Sequence, residues 1–195
     1  VLLALISGIP FGIFLAMSRF HGRKLIITLL NTGMGLPPVV VGLIIVMFFF
    51  RNGPLGLLNL LYTPGAIVLA QFIISWPIVA GLSLAAVQQL PQKLQLQTLA
   101  LGANRFQVYW TLFREAKLPL LAAVMAGFGS IISEVGAVMM VGGNIKRQTR
   151  VLTTSIVLET RMGHFEMALA LCVVLFLLSF SVNLLLTFIQ QRGKG

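Results

Sequence analysis

Aspartate is absent from the 195-residue chain, and its only carboxylates are Glu115, Glu134, Glu159 and Glu166. No Asp is therefore present to organise a nucleotide's magnesium, and no G-x-x-x-x-G-K-[ST] phosphate loop occurs. Paired carboxylates and a nucleophile elbow are missing too. These absences argue against ATP hydrolysis by this chain and against catalysis of any kind. The one cysteine, Cys172, cannot form an internal disulfide and reads as a small core residue of the last apolar run. The two histidines, His21 and His164, lie far apart and outside the apolar runs. No metal-ligand cluster follows from them, and no bound cofactor is expected. Charge itself is scarce, at 9% of residues against 58% hydrophobic, where a soluble domain carries roughly 25% charged residues. With a mean hydropathy of +1.00, the chain cannot cover a soluble surface. The bilayer must be its solvent.

A hydrocarbon core of roughly 30 Å, crossed at about 1.5 Å per residue, needs about 20 mostly apolar residues. Val1–Ser18, Leu25–Phe50, Gly65–Gln88, Leu118–Met140 and Met167–Ile189 qualify. The expectation is an all-α integral membrane protein of about five transmembrane helices, forming one domain over residues 1–195. The first run opens without an initiator Met or a polar lead-in, which suggests an N-terminally trimmed chain. It is not a signal peptide, because Arg19, Arg23 and Lys24 follow the apolar run instead of preceding it.

A net charge of +10 could suggest nucleic acid, but the basic residues sit between apolar runs, where they face headgroups and set topology. No nucleic-acid partner is expected; membrane lipid is. On one side fall Arg19, Arg23, Lys24, Lys93, Arg105, Arg114, Lys117, Arg192 and Lys194. The other holds Arg51, Lys146, Arg147, Arg150 and Arg161. The positive-inside tendency puts the larger set in the cytoplasm, so the chain starts outside and ends inside.

Several local signals refine this outline. Asn31-Thr-Gly-Met-Gly-Leu-Pro-Pro38 interrupts the second run, since tandem proline removes two donors and disfavours helix just before it. Either the helix is broken at membrane depth, beside a cavity, or a short loop precedes a helix starting at Pro37. Thr63-Pro64 reads as the cap and first turn of the third span, and Trp76-Pro77 as a kink within it. Ala126, Ser130, Ser133 and Ala137 recur on one helical face of the fourth run, a pattern that lets helices approach closely.

The segment Leu96-Gln-Thr-Leu-Ala-Leu-Gly102-Ala103-Asn-Arg-Phe106 onward to Leu112 is too polar to span and too apolar for an ordinary loop. Gly-Ala at its centre, between two stretches of helical patterning, predicts a helix–Gly–helix hairpin. It suits either a docking knob for a soluble partner or an amphipathic interfacial connector.

This segment resembles the EAA loop of ABC importer permeases, E-A-A-x-x-x-G followed by nine residues and I-x-L-P. Gly102 matches the glycine, Leu112 the Ile position, and Leu118-Pro119 a later Leu-Pro of the molybdate branch. Leu96-Gln97-Thr98 replaces E-A-A, and Arg114-Glu115 replaces the first Leu-Pro. Gly35-Leu-Pro-Pro-Val-Val-Val-Gly42, Gly53-Pro-Leu-Gly56, Ser133-Glu-Val-Gly-Ala137 and Gly143-Asn-Ile145 follow in the order of molybdate and tungstate permeases. Asn31-Thr-Gly-Met-Gly and the run from Val135 to Asn144 look most like the tungstate type.

The resemblance implies a permease subunit in a prokaryotic cytoplasmic (inner) membrane, importing tungstate or molybdate. Two copies would sit over two ATP-binding cassette ATPase subunits, which use the ATP, and an extracytoplasmic binding protein would supply substrate. Thr98, Gly102, Ala103, Phe106 and Pro119 would couple to the ATPase. The path would be lined from the second and fourth spans, with Pro37, Pro38, Ser133 and Gly136 as candidates. Lys146, Arg147 and Arg150 gather outside against the positive-inside tendency, where headgroups, the anion or an acidic rim of the binding protein could meet them. Glu134, inside the fourth run, reads as structural, because a carboxylate in the path would repel an anion. An ion-coupled secondary transporter would want more ionisable residues inside spans, and a membrane anchor of a redox enzyme would want histidines there.

Overall fold

Tandem proline explains the first break in the chain. The structure, a computed structural model, describes residues 1–192 without the side chains of Gln92 and Arg192. Lys194, counted above among the basic residues, lies outside the described residues, as does the Arg192 side chain. Helix α2 (Arg23–Met34) stops before Gly35, and α3 (Pro38–Phe49) begins with Pro38 in its first turn and Pro37 as the flanking residue. The expected interruption is there, one residue later than a start at Pro37.

The other helices are α1 (Leu2–Met17), α4 (Pro64–Gln88), α5 (Gln92–Ala100), α6 (Arg105–Glu115), α7 (Lys117–Ile132), α8 (Gly136–Gly142), α9 (Leu152–Arg161) and α10 (Phe165–Arg192). No strand occurs among the described residues, so the all-α expectation holds. Helices α4 and α10 are each long and apolar enough to cross a bilayer. The pairs α2 with α3 and α6 with α7 also qualify if each is one bent span, which makes two to four candidate spans, and α1 is a shorter apolar helix. Thr63 and Pro64 start α4 as expected, with Thr63 Oγ1 accepting from the Ala66 N–H at 3.3 Å.

Packing divides the chain into two compact units. The first holds Val1–Gly35, Ser75–Phe128 and the chain from Leu186 on; the second holds Leu36–Ile74 and Gly129–Leu185. In the first, α1 and α4 meet almost backbone to backbone. A Cβ on Gly12 would lie 2.5 Å from the Ala80 carbonyl oxygen, so only glycine permits this approach. Around that contact Ile13, Ala86, Val87, Val108, Leu112, Ala116 and Leu120 form a buried cluster, which ties α6 and the start of α7 to α1 and α4.

In the second unit, α3 and α8 are the paired helices. Val41 and Ile45 pack with Ala137, Val138 and Val141, and Ala66, Ile67, Ala70 and Ile74 of α4 complete the cluster. A Cβ on Gly42 would come 2.9 Å from the Ala137 Cα, which shows how close the two helices run.

Three expectations need correction. The run Leu118–Met140 is not one helix, because α7 ends at Ile132 and α8 starts at Gly136. The buried carboxylate of Glu134 takes the Ala137 N–H at 2.7 Å, which caps a new helix where the old one would have continued. The small-residue face is split by the same break, with Ala137 on α8 and the other three members before it. Finally, Cys172 is exposed, not in a core. It lies on α10, whose most apolar stretch contributes no buried residue within the chain.

Candidate functional site

The hairpin between α5 and α6 is built by two complementary caps. At the end of α5, Gly102 adopts φ +81°. Its N–H bonds the Leu99 carbonyl at 3.0 Å, and the Ala103 N–H bonds the Thr98 carbonyl at 3.2 Å. This is the paired closure of a Schellman turn, whose left-handed position favours glycine because it carries no Cβ. Two residues on, Asn104 starts α6 with a capping box. Its Oδ1 accepts from the Gln107 N–H, and Gln107 Oε1 accepts from the Asn104 N–H, both at 2.8 Å. Each residue from Leu101 to Asn104 thus has its N–H bonded, three to backbone carbonyls and Asn104 to the Gln107 side chain.

The turn carries an apolar tip on a rooted base. Leu101 is 89% exposed and Phe106 74% exposed. Val108 and Leu112 are buried one and two turns further on, and Ala103, Leu94, Tyr109 and Phe113 pack beside them. Exposed apolar groups on a rigid, anchored turn can fill a partner's cleft without an ordering cost. The helix–Gly–helix expectation is met in detail. Of the residues singled out there, Gly102, Ala103 and Phe106 cluster at the turn. Thr98 contributes its carbonyl to the turn, while its hydroxyl donates to the Leu94 carbonyl at 2.7 Å. Pro119 is not at the tip: it lies in the first turn of α7, beyond a 72° bend from α6.

In the second unit, the candidate path residues gather about two breaks. A Cβ on Gly136 would lie 2.8 Å from Val39 Cγ2, so the start of α8 rests on the first turn of α3, which holds Pro38. Pro37 and Ser133 are exposed, and the Ser133 hydroxyl donates to the Gly129 carbonyl at 2.8 Å. Glu134 is buried and committed within the chain, and its own carbonyl accepts from Thr153 Oγ1 at 3.1 Å.

The basic loop after α8 is more ordered than its composition suggests. Thr149, buried, donates its hydroxyl to the Gly142 carbonyl and accepts from the Ile145 N–H at 2.9 Å. The N–H groups of Gln148, Thr149 and Arg150 all reach the Ile145 carbonyl, at 3.0–3.1 Å. Lys146 and Arg147 are exposed on this frame. Arg150 is drawn inward instead, with Nη2 donating to the Asn144 carbonyl at 3.4 Å and Nε buried without a partner among the described residues. The three cations therefore differ in role: two face outward and one braces the loop.

Sequence reasoning missed this frame and the helix α9 that follows it. The available signal was Val151-Leu-Thr-Thr154, in which Thr154 Oγ1 accepts from the Val151 N–H at 3.0 Å at the helix start. No group of three metal-ligating side chains occurs among the described residues.

Residues 8–194 match the family described as binding-protein-dependent transport system inner membrane component. A tungstate uptake system permease protein of Peptoclostridium acidaminophilum is 40% identical over 185 residues, covering 95% of this chain and 81% of that one. A protein of Haloferax volcanii described as "Probable anion ABC transporter permease protein" is 38% identical over 200 residues, covering 100% of this chain and 86% of its own. The molybdenum transport system permease protein of Escherichia coli K12 is more distant, 27% identical over 88% of this chain and 81% of its own.

Proposed function

The chain belongs to the family of binding-protein-dependent transport system inner membrane components, and from that premise we propose that it is the permease subunit of an ATP-binding-cassette importer for a tetrahedral oxyanion, tungstate before molybdate or sulfate. One observation carries the mechanism: a doubly capped hairpin holding Leu101 and Phe106 in solvent on a buried base. Such a turn transmits force because it is rigid. An ATPase gripping its tip would move α6, and with it the cluster that α6 shares with α1, α4 and α7.

On this reading Gly102, Ala103 and Phe106 meet the ATPase, with Thr98 holding the turn and Pro119 setting the entry into α7. The hairpin is cytoplasmic, which agrees with the distribution of basic residues and puts the C-terminus inside. A second copy completes the path, with Pro37, Pro38, Ser133 and Gly136 near it. A binding protein docks outside, where Lys146 and Arg147 project. The cargo is favoured as an anion because four carboxylates stand against fourteen Lys and Arg. Tungstate ranks first because the relative named for tungstate uptake is 40% identical.

An ion-coupled transporter fits less well, since the carboxylate of Glu134 is already held by the Ala137 N–H. The deciding experiment uses proteoliposomes containing the full transporter, with binding protein and tungstate outside. Uptake should need ATP in the lumen and survive collapse of proton and sodium gradients. Uptake that ignores ATP and stops with those gradients would overturn the reading. Molybdate and sulfate run in parallel rank the cargo.

A further inference from the structure

A cleft of about 1350 Å³ in the first unit lies between the end of α1 and the α5–α6 hairpin, and shares Leu96, Leu99, Arg105 and Phe106 with that hairpin. Phe14 and Met17 line it from the end of α1, and Leu96 and Leu99 from α5. Phe14 and Met17 lie three residues apart, on one face of α1. Arg19, Arg23 and Arg105 also line the cleft, and no carboxylate does. Arg23 is anchored by Nε, which donates to the Leu15 carbonyl at 3.0 Å, so its terminal nitrogens remain for another acceptor. None of the three arginines is ion-paired among the described residues, where the single pair is His164 with Glu159.

The height of this cleft matters. Arg19 and Arg23 follow closely on Met17, where the apolar helix α1 gives out, and Arg105 faces the same cleft from the start of α6, so the cations sit where hydrocarbon meets headgroups. A soluble anion would pair with the guanidinium groups but leave the wall of Phe14, Met17 and Leu99 uncovered. An acyl chain alone would leave three arginines unpaired. A molecule with a phosphate at one end and a hydrocarbon chain at the other satisfies both parts, and guanidinium forks suit phosphate oxygens.

We propose that this cleft is a binding site for an anionic phospholipid, its phosphate held by Arg19, Arg23 and Arg105 and one acyl chain laid along the Phe14–Met17 face of α1. The lipid would then bridge α1 and the base of the α5–α6 hairpin. The inference rests on α1 lying in the bilayer and is independent of the cargo.

The test is native mass spectrometry of the purified full-length permease, titrated with phosphatidylglycerol or phosphatidylcholine in detergent. Wild type should retain phosphatidylglycerol at least tenfold more tightly. Each arginine near an anionic headgroup contributes a factor of about five, so R19Q with R105Q should weaken phosphatidylglycerol about twenty-five-fold and phosphatidylcholine, whose choline offsets its phosphate charge, by much less. If the double variant does not purify, R19Q alone, at a position outside every helix, should weaken it about fivefold. Equal retention of the two lipids, or no change in either variant, overturns the proposal. So does saturation by inorganic phosphate or tungstate as tightly as by phosphatidylglycerol, which would mark a free-anion site. Cargo uptake is a separate readout, so a failure here leaves the importer reading standing.

Discussion

Replacing Gly102 tests the hairpin through its backbone. With φ +81°, this residue occupies the left-handed region, where an L side chain costs about 1–2 kcal/mol, or a factor of 5–30 in the population of the turn. Nothing lies within 4 Å of a Cβ built there, so no clash inside the chain adds to that cost. The magnitude is therefore set by residue type. Asn tolerates the left-handed region and should keep coupling within about twofold of wild type. Ala should lose about fivefold, and β-branched Val more than tenfold. The base of the hairpin is buried independently of the turn, so every variant should still insert and purify. The assay is retention of the ATPase on the purified permease, together with stimulation of ATP hydrolysis by the binding protein. Gln97→Ala, at an exposed position on α5, controls for general damage and should be neutral. Side-chain size, not backbone preference, would govern if Asn and Val failed alike while Ala worked. Full coupling in Gly102→Val would reduce the segment to a passive connector.

Further tests follow from other parts of the chain. In a Cys172→Ser background, needed because that thiol is exposed, a cysteine replacing Gln148 should react with an impermeant reagent in whole cells. One replacing Gln97 should react only after lysis; the reverse pattern inverts the topology. Lys146→Gln with Arg147→Gln should slow docking of the binding protein at low salt and not at high salt, since exposed charges are screened over about 8 Å at physiological ionic strength. Thr149→Val should lower stability by about 1–3 kcal/mol in thermal unfolding, because the Ile145 N–H and Gly142 carbonyl lose their shared partner. Thr149→Ser should restore most of that loss.

Much of this architecture is visible in the sequence wherever a residue acts on its own neighbours. Pro37-Pro38 breaks the second apolar run because proline lacks a donor, Thr63-Pro64 starts α4, and Gly102 closes α5; these are short-range effects. What hydropathy hides is irregular backbone inside an apolar stretch. Leu118–Met140 reads as one span because Ser133 and Glu134 barely lower its mean, and only the folded chain shows Glu134 turning to cap α8. Cys172 was misplaced for a related reason. Apolar character marks a core in water, but in a bilayer protein it marks the lipid face equally well, and the most apolar stretch of α10 buries no residue within the chain. The cleft beside Arg19 and Arg105 was invisible because its lining comes from two stretches distant in sequence, Phe14–Arg23 and Val87–Leu112.

The placement of the four carboxylates bears on what can pass. Glu134 is bonded to the Ala137 N–H, and Glu159 pairs with His164 at 2.9 Å. Glu166 sits in the first turn of α10, where the helix dipole favours a negative charge. Each acid of the second unit, which also holds Pro37, Pro38, Ser133 and Gly136, is thus engaged with a neighbour or a helix start. Glu115, the fourth, closes α6 in the first unit. If Glu134 serves only as a cap, Glu134→Gln should retain transport, because the amide oxygen can still accept from Ala137. Glu134→Ala should lose about 1 kcal/mol of stability and transport with it, since the start of α8 is left uncapped. An ion-coupling role predicts a different pattern, with Gln as damaging as Ala and the loss in coupling, not in thermal stability. Measuring uptake and unfolding temperature for both variants separates a carboxylate that carries charge across the membrane from one that holds two broken helices in place.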